Sequence, residues 1–155
     1  MACGDVTGDA VAEIITGAGP GGGPHVRVWQ LQNSRVTEIA GFYAYDPHFS
    51  GGVSVAVGDV AGDGFGQVIT GAGPGGGPHV RVWQVGGGRV TEQASFYAYD
   101  PGFLGGVSVA SGDLNKDGLA EIVTGPGAGG EPLIRVFAGW GAPLDIEFLA
   151  IEPPH

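Results

Sequence analysis

The chain has 155 residues, and its 33 Gly and 11 Pro make up more than a quarter of them, over twice the usual share. A hydrophobic fraction of 43%, with three Trp, seven Phe and four Tyr, still supplies a core for one domain and argues against disorder. Six Lys and Arg against sixteen Asp and Glu leave a net charge of -10, which excludes a basic, phosphate-tracking nucleic-acid binder. Gly, Asp or Pro interrupts every apolar run before membrane-helix length, so no membrane insertion is expected. The lone Cys3 permits no intrachain disulfide. The opening MACGD has neither the basic start nor the apolar stretch of a secretory signal.

The block GAGPGGGPHVRVWQ stands at Gly17 and again at Gly71, a period of 54. In chain order, residues 1–16 read as the tail of a unit, 17–70 and 71–124 as two full units, and 125–155 as the head of a worn third, opening GPGAGGEPLIRVF. Within the first unit, HVRVWQ (25–30), RVTEIAGFYAYD (35–46), GGVSVAVGDV (51–60) and FGQVITGAG (65–73) alternate β-branched and aromatic residues with period two and read as strands. The segments between them are clusters of Gly, Pro, Asn and Asp of turn length. No stretch has a helical period, so the expected class is all-β.

Four strands every 54 residues is the arithmetic of propeller blades, small sheets that bury their faces only against neighbours. Val26, Val28, Val53, Val55 and Val57, with their counterparts one period on, are expected to pack between blades. Trp29, Trp83 and Phe137 are expected to fill one equivalent site in each. The expected architecture is a single repeat domain, a β-propeller with three blade equivalents, one split between residues 125–155 and 1–16. Three blades fall short of the four to eight of closed propellers. A head-to-tail homodimer with six blades is therefore expected, each subunit's N-terminal strands completing the other's C-terminal blade.

FGQVITGAGPG and AEIVTGPGAGG, each following an Asp-rich loop, resemble the FG-GAP repeat of integrin α-chain propellers and the related VCBS-type repeats of bacterial surface proteins. The resemblance covers essentially the whole chain. It implies a β-propeller with calcium in the blade hairpins and an extracellular or cell-surface location. It does not fix a function, because one fold hosts many.

The acidic loops carry the best chemical signal. DLNKDGLAE places Asp113, Asn115, Asp117 and Glu121 at alternate positions of a tight loop, Leu119 offering its carbonyl. Calcium takes six to eight hard oxygens, and alternate positions of a turning loop direct oxygens inward. DVTGDAVAE repeats the pattern with Asp5, Thr7, Asp9, Glu13 and the Val11 carbonyl, Ala10 standing where Gly118 stands. DVAGDGFGQ keeps Asp59 and Asp63 but has Ala61 and Gln67, so weak or absent binding is expected there. The same residues read equally as Asx turns that need no metal.

Other features carry less chemistry. GAGPGGG lacks the following GK[ST] and helix of a phosphate loop and reads as a turn allowing close backbone approach. His25 and His79 recur, but two ligands are too few for zinc. Arg27, Arg81 and Arg135 are expected to pair with Asp46, Asp100 and Glu152. Tyr43, Tyr45, Tyr97 and Tyr99 are expected on one strand face, as interblade packing or as sugar-stacking rings. No catalytic constellation is recognisable. The function expected is a calcium-stabilised, non-enzymatic module for display or for binding a protein or glycan, with a lectin as the alternative and a calcium-dependent hydrolase as the weakest reading.

Overall fold

The computed structural model describes residues 1–86 and 89–150, and among them every regular element is a strand. The first sheet is built from β1 (Ala2–Gly4), β2 (Glu13–Gly17), β3 (His25–Gln32) and β4 (Arg35–Tyr43). The second contains β5 (Val53–Gly58), β6 (Gln67–Ala72), β7 (His79–Gly86) and β8 (Arg89–Tyr97). The third contains β9 (Val107–Gly112), β10 (Glu121–Pro126), β11 (Leu133–Phe137) and β12 (Pro143–Leu149). Each sheet is an antiparallel meander in sequence order, so the chain forms three blades of a β-propeller.

The sheet boundaries correct the expected split blade. Residues 1–16 supply β1 and β2 of the first blade, where Ile14 and Ile15 pair with Trp29 and Val28 of β3. The sequence period and the sheet are out of phase by half a unit: a unit counted from Gly17 runs from the third strand of one blade to the second strand of the next. The pairing that decides this is local. A short Gly-rich turn folds β2 onto β3, and such tight connections favour adjacent antiparallel strands.

The inner strands β1, β5 and β9 touch in succession, and β6 also reaches β9. Two apolar layers follow from the alternation. Between the first and second blades, Ile15, Val26 and Val28 meet Val55, Val68 and Trp83; between the second and third, Ile69, Val80 and Val82 meet Val107, Val109 and Phe137. Trp83 at 8% and Phe137 at 5% exposure fill the expected equivalent sites, whereas Trp29 is only partly buried. Tilted aromatic pairs rivet each layer, Phe42 on Trp83 at 5.0 Å and Phe96 on Phe137 at 4.8 Å between ring centroids, a geometry that adds about 0.5–1.5 kcal/mol beyond the buried area.

The Gly-rich turns gather at one mouth of the axis and there make interblade hydrogen bonds. The Gly52 and Gly106 amides, just before β5 and β9, donate to the Gly22 and Gly76 carbonyls of the preceding blade's turn, each at 3.2 Å. Within a blade, a Cβ at Gly73 or Gly127 would fall 1.9 or 1.7 Å from the Gly51 or Gly105 oxygen ahead of that blade's first strand, so only glycine permits this approach. These turns line a cavity of about 210 Å³ with the starts of β5 and β9. They do not open a helix, and no phosphate cradle forms.

Candidate metal centres

The acidic loops connect the two inner strands of each blade, β1 to β2, β5 to β6 and β9 to β10. Because blades begin with β1, β5 and β9, the loops lie against the axis, at the mouth opposite the Gly-rich turns. Backbone bonds join them into a collar. The Gly66 amide of the second loop donates to the Asp5 carbonyl of the first at 2.6 Å, and the Ala120 amide of the third to the Asp59 carbonyl of the second at 2.8 Å.

Two loops bring three carboxylates together. Ligand oxygens of Asp5, Asp9 and Glu13 lie within 4.8 Å of one another, and so do those of Asp113, Asp117 and Glu121. The closing glutamates are buried, Glu13 at 0% and Glu121 at 4% exposure. Each accepts from the amide following the first Asp: Val6 donates to Glu13 Oε2 at 2.8 Å and Leu114 to Glu121 Oε2 at 2.6 Å. The first Asp of each loop acts as a hub for backbone donors. Asp5 accepts from the amides of Thr7, Gly8 and Ala10, and Asp113 from those of Asp117 and Gly118. Burial acts to raise the Asp5 pKa, yet the backbone N–H groups outweigh it and hold the carboxyl below its ordinary 3.8. Gly118 takes φ +87, the left-handed turn for which glycine was expected; Ala10 takes φ +67 at the same place, at a steric cost that glycine avoids.

The middle loop resolves its chemistry differently. Gln67 stands where the others have Glu; its Oε1 accepts from Val60 and Ala61, and its Nε2 donates to both oxygens of Asp63 at 3.0 and 2.9 Å. An amide donor there satisfies Asp63 and removes the reason for a cation. In the first and third loops the closing residue is a carboxylate with no amide to donate; Gln30 Nε2 reaches Asp9 at 3.2 Å, and the ion pairs found among the described residues involve Arg27, Arg81, Arg135 and His48, none with these clusters. Three clustered carboxylates with Thr7 or Asn115 alongside form a hard-oxygen donor set that fits calcium, with the Val11 and Leu119 carbonyls as further candidates.

Several expected contacts are redrawn. Arg27, Arg81 and Arg135 pair with Glu38, Glu92 and Glu147 of the outer strands, at 2.5, 3.8 and 3.2 Å. Asp46 and Asp100 are occupied, each accepting at 2.8 Å from the amide two residues on, His48 and Gly102; Glu152 lies outside the described residues. The arginines also cross between blades. Arg81 and Arg135 Nη1 donate to the Ala44 and Ala98 carbonyls at 2.7 and 3.0 Å. The tyrosines do not share an environment. Tyr43 and Tyr97 are about half exposed and stack on His25 and His79 at 4.9 Å. The Tyr45 and Tyr99 hydroxyls donate across blades to the His79 and Leu133 carbonyls at 2.6 and 2.5 Å, which commits both rings to packing. Trp140 was not foreseen: it is 68% exposed and lines a cavity of about 180 Å³ with Asn115, Asp117 and Glu121. The only signal for it was that the GWGAP turn breaks the repeat.

Residues 105–132 match the FG-GAP repeat family model, so the resemblance read from the loops and strands holds, and the chain is a segment of β-propeller carrying an FG-GAP repeat. No curated protein sequence matches the chain. Among solved structures it is similar to the exotype rhamnogalacturonan lyase YesX, with 15% identity, a TM-score of 0.59 and coverage of 92% of this chain and 29% of that one. Rhamnogalacturonan lyase YesW is similar at 14% identity and a TM-score of 0.56, with 91% and 30% coverage. The chain thus spans less than a third of either lyase, and at this identity the likeness speaks for the fold. It also corrects the expectation of a non-enzymatic module. The matched structures are enzymes, and lack of a recognisable catalytic constellation in one sequence was no ground for excluding catalysis from such a fold.

Proposed function

We propose that the chain is a calcium-binding propeller segment whose collar of inner loops presents a rigid surface for binding at the cell exterior. The observation that carries this reading is the contrast between loops: two hold three clustered carboxylates without a cationic partner, while the third replaces the closing Glu by an amide that satisfies its neighbour. Asp113, Asn115, Asp117 and Glu121 would hold one ion, and Asp5, Thr7, Asp9 and Glu13 a second. Calcium would supply charge neutralisation in each collar loop, and the hydrogen bonds from Gly66 to Asp5 and from Ala120 to Asp59 tie neighbouring loops to the held geometry. FG-GAP repeats are typical of extracellular proteins, and no helix among the described residues is long and apolar enough to cross a membrane.

Thermal melts in calcium and in chelator test it. At a calcium concentration a hundredfold above the dissociation constant each site adds about 2.7 kcal/mol. Asp117→Ala should remove one increment, whereas Asp63→Ala should leave the calcium response intact; equal melting temperatures with and without calcium would end the reading.

A glycan is the ligand class favoured at the third loop, because the exposed Trp140 ring beside a carboxylate cluster offers an apolar face next to hydroxyl-binding oxygens. Glycan-array binding lost in Trp140→Ala supports it; a silent array removes it.

A further inference from the structure

The two apolar layers inside the chain define what a blade presents on each side, and the outermost blades present both sides unmatched. Toward its predecessor, the second blade buries Val68 at 0%, Trp83 at 8% and Val85 at 4% exposure. The same positions in the first blade are Ile14, Trp29 and Leu31. Ile14 and Trp29 are only partly buried and Leu31 is 51% exposed, with Val36 beside it at 56%. Toward its successor, the second blade buries Ile69 and Val80 at 0% and packs Ala94 and Phe96 on the core. In the third blade these positions are Val123 and Ile134, partly buried, and Ile146 and Phe148, 41% and 54% exposed.

We propose that the outgoing face of the third blade docks on the incoming face of the first blade of a second copy, and that two copies close a six-bladed ring. The occupant follows from continuity with the two interfaces already made. Phe148 is the third member of the series Phe42 and Phe96, each of which pairs with the Trp83 or Phe137 of the following blade, and Trp29 is the ring of that series left without a Phe. The polar contact repeats as well. Arg81 and Arg135 donate to the Ala44 and Ala98 carbonyls, and Arg27 is the arginine without such an acceptor, while Ala150 is the corresponding alanine. Its backbone is held as theirs is, its amide donating to Pro132 O at 2.8 Å as those of Ala44 and Ala98 donate to Pro24 and Pro78 at 2.9 Å. Closed propellers have about four to eight blades, and six is the one multiple of three in that range, so two chains complete the circle.

This assembly docks whole blades face to face. The exchange of N-terminal strands expected from the sequence is replaced, because β1 and β2 already pair within their own blade.

Light scattering on the chain across a concentration series is the test, with Leu31→Lys and Phe148→Lys made on exposed side chains and checked for intact β-sheet by circular dichroism. The wild type is expected at twice the single-chain 15.5 kDa. Each variant alone should weaken the dimer about thirtyfold or more, the loss typical of a central anchor. Mixing the two variants should restore a heterodimer, since each retains the face the other lacks, a result that only head-to-tail contact gives. A wild-type particle of one chain, or of three or more, overturns the proposal. So does a dimer that neither substitution weakens.

Discussion

At the residue scale, the difference between Glu and Gln at one position of an inner loop changes how that loop is closed. Glu13 and Glu121 bring a buried carboxyl that accepts from backbone amides and has no donor to offer the neighbouring Asp, whereas Gln67 brings a donor of its own and closes the loop onto Asp63. His79 is a second residue whose chemistry is set by its surroundings. Burial and the Arg81 charge, only partly offset by Glu92, hold its pKa below 6.5; Ser95, Tyr45 and Tyr97 complete its surroundings. Above pH 6.5 the imidazole is neutral folded and unfolded, and it costs nothing. As the pH falls through that value the unfolded chain takes up the proton first, so stability drops. His79→Leu, the residue that Leu133 supplies in the third blade, should therefore reduce the loss of melting temperature between about pH 7 and about pH 5.5; an unchanged loss would assign it to the carboxylates.

At the element scale, the Gly-rich turns and the inner hairpins do separate jobs at opposite mouths. The turns bring backbones close enough to hydrogen-bond between blades, and the same letter has a different meaning at each copy. Gly73 meets the Gly51 oxygen, while Gly19, one period earlier, has nothing within 4 Å. Gly73→Ala should cost about 1–3 kcal/mol by overpacking, and Gly19→Ala should be near neutral. Chemical denaturation of the two variants measures the difference, and equal costs would mean that the turn itself, not the chain that leads into β5 beside it, demands glycine. The outer hairpins show how an element absorbs a change of length. In the third blade Glu147 faces Arg135 directly across the ladder, where the first two blades reach their Arg from Glu38 and Glu92 beyond a bulge.

At the scale of the whole molecule, blades that touch only their neighbours couple in one dimension. If the carboxylate clusters of the first and third blades hold calcium as proposed, the ion should raise hydrogen-exchange protection most in β1, β2, β9 and β10. The middle inner strands β5 and β6 should gain less, through the collar bonds from Gly66 to Asp5 and from Ala120 to Asp59. A protection gain uniform across all three sheets would show that the arc opens as one cooperative unit instead.

The all-β class, the four strands per unit and the clustering of acidic residues in two loops were legible in the sequence because they rest on local signals: period-two alternation, turn residues at fixed spacing, and carboxylates at alternate loop positions. The valines at 26, 28, 53 and 55 could be assigned to the core for the same reason. Where a blade begins was not legible, since a perfect repeat has no phase; only the pairing of β2 with β3 put residues 1–16 into the first sheet and turned the acidic loops toward the axis. The partners of Arg27, Arg81 and Arg135 also waited on tertiary structure. A guanidinium chooses among carboxylates by distance and by which of them are free, and Asp46 and Asp100 were already taken by their own turns. The repeat thus determined what each blade is made of, and the packing of blade on blade determined which of its identical residues are buried, which are paired and which remain exposed.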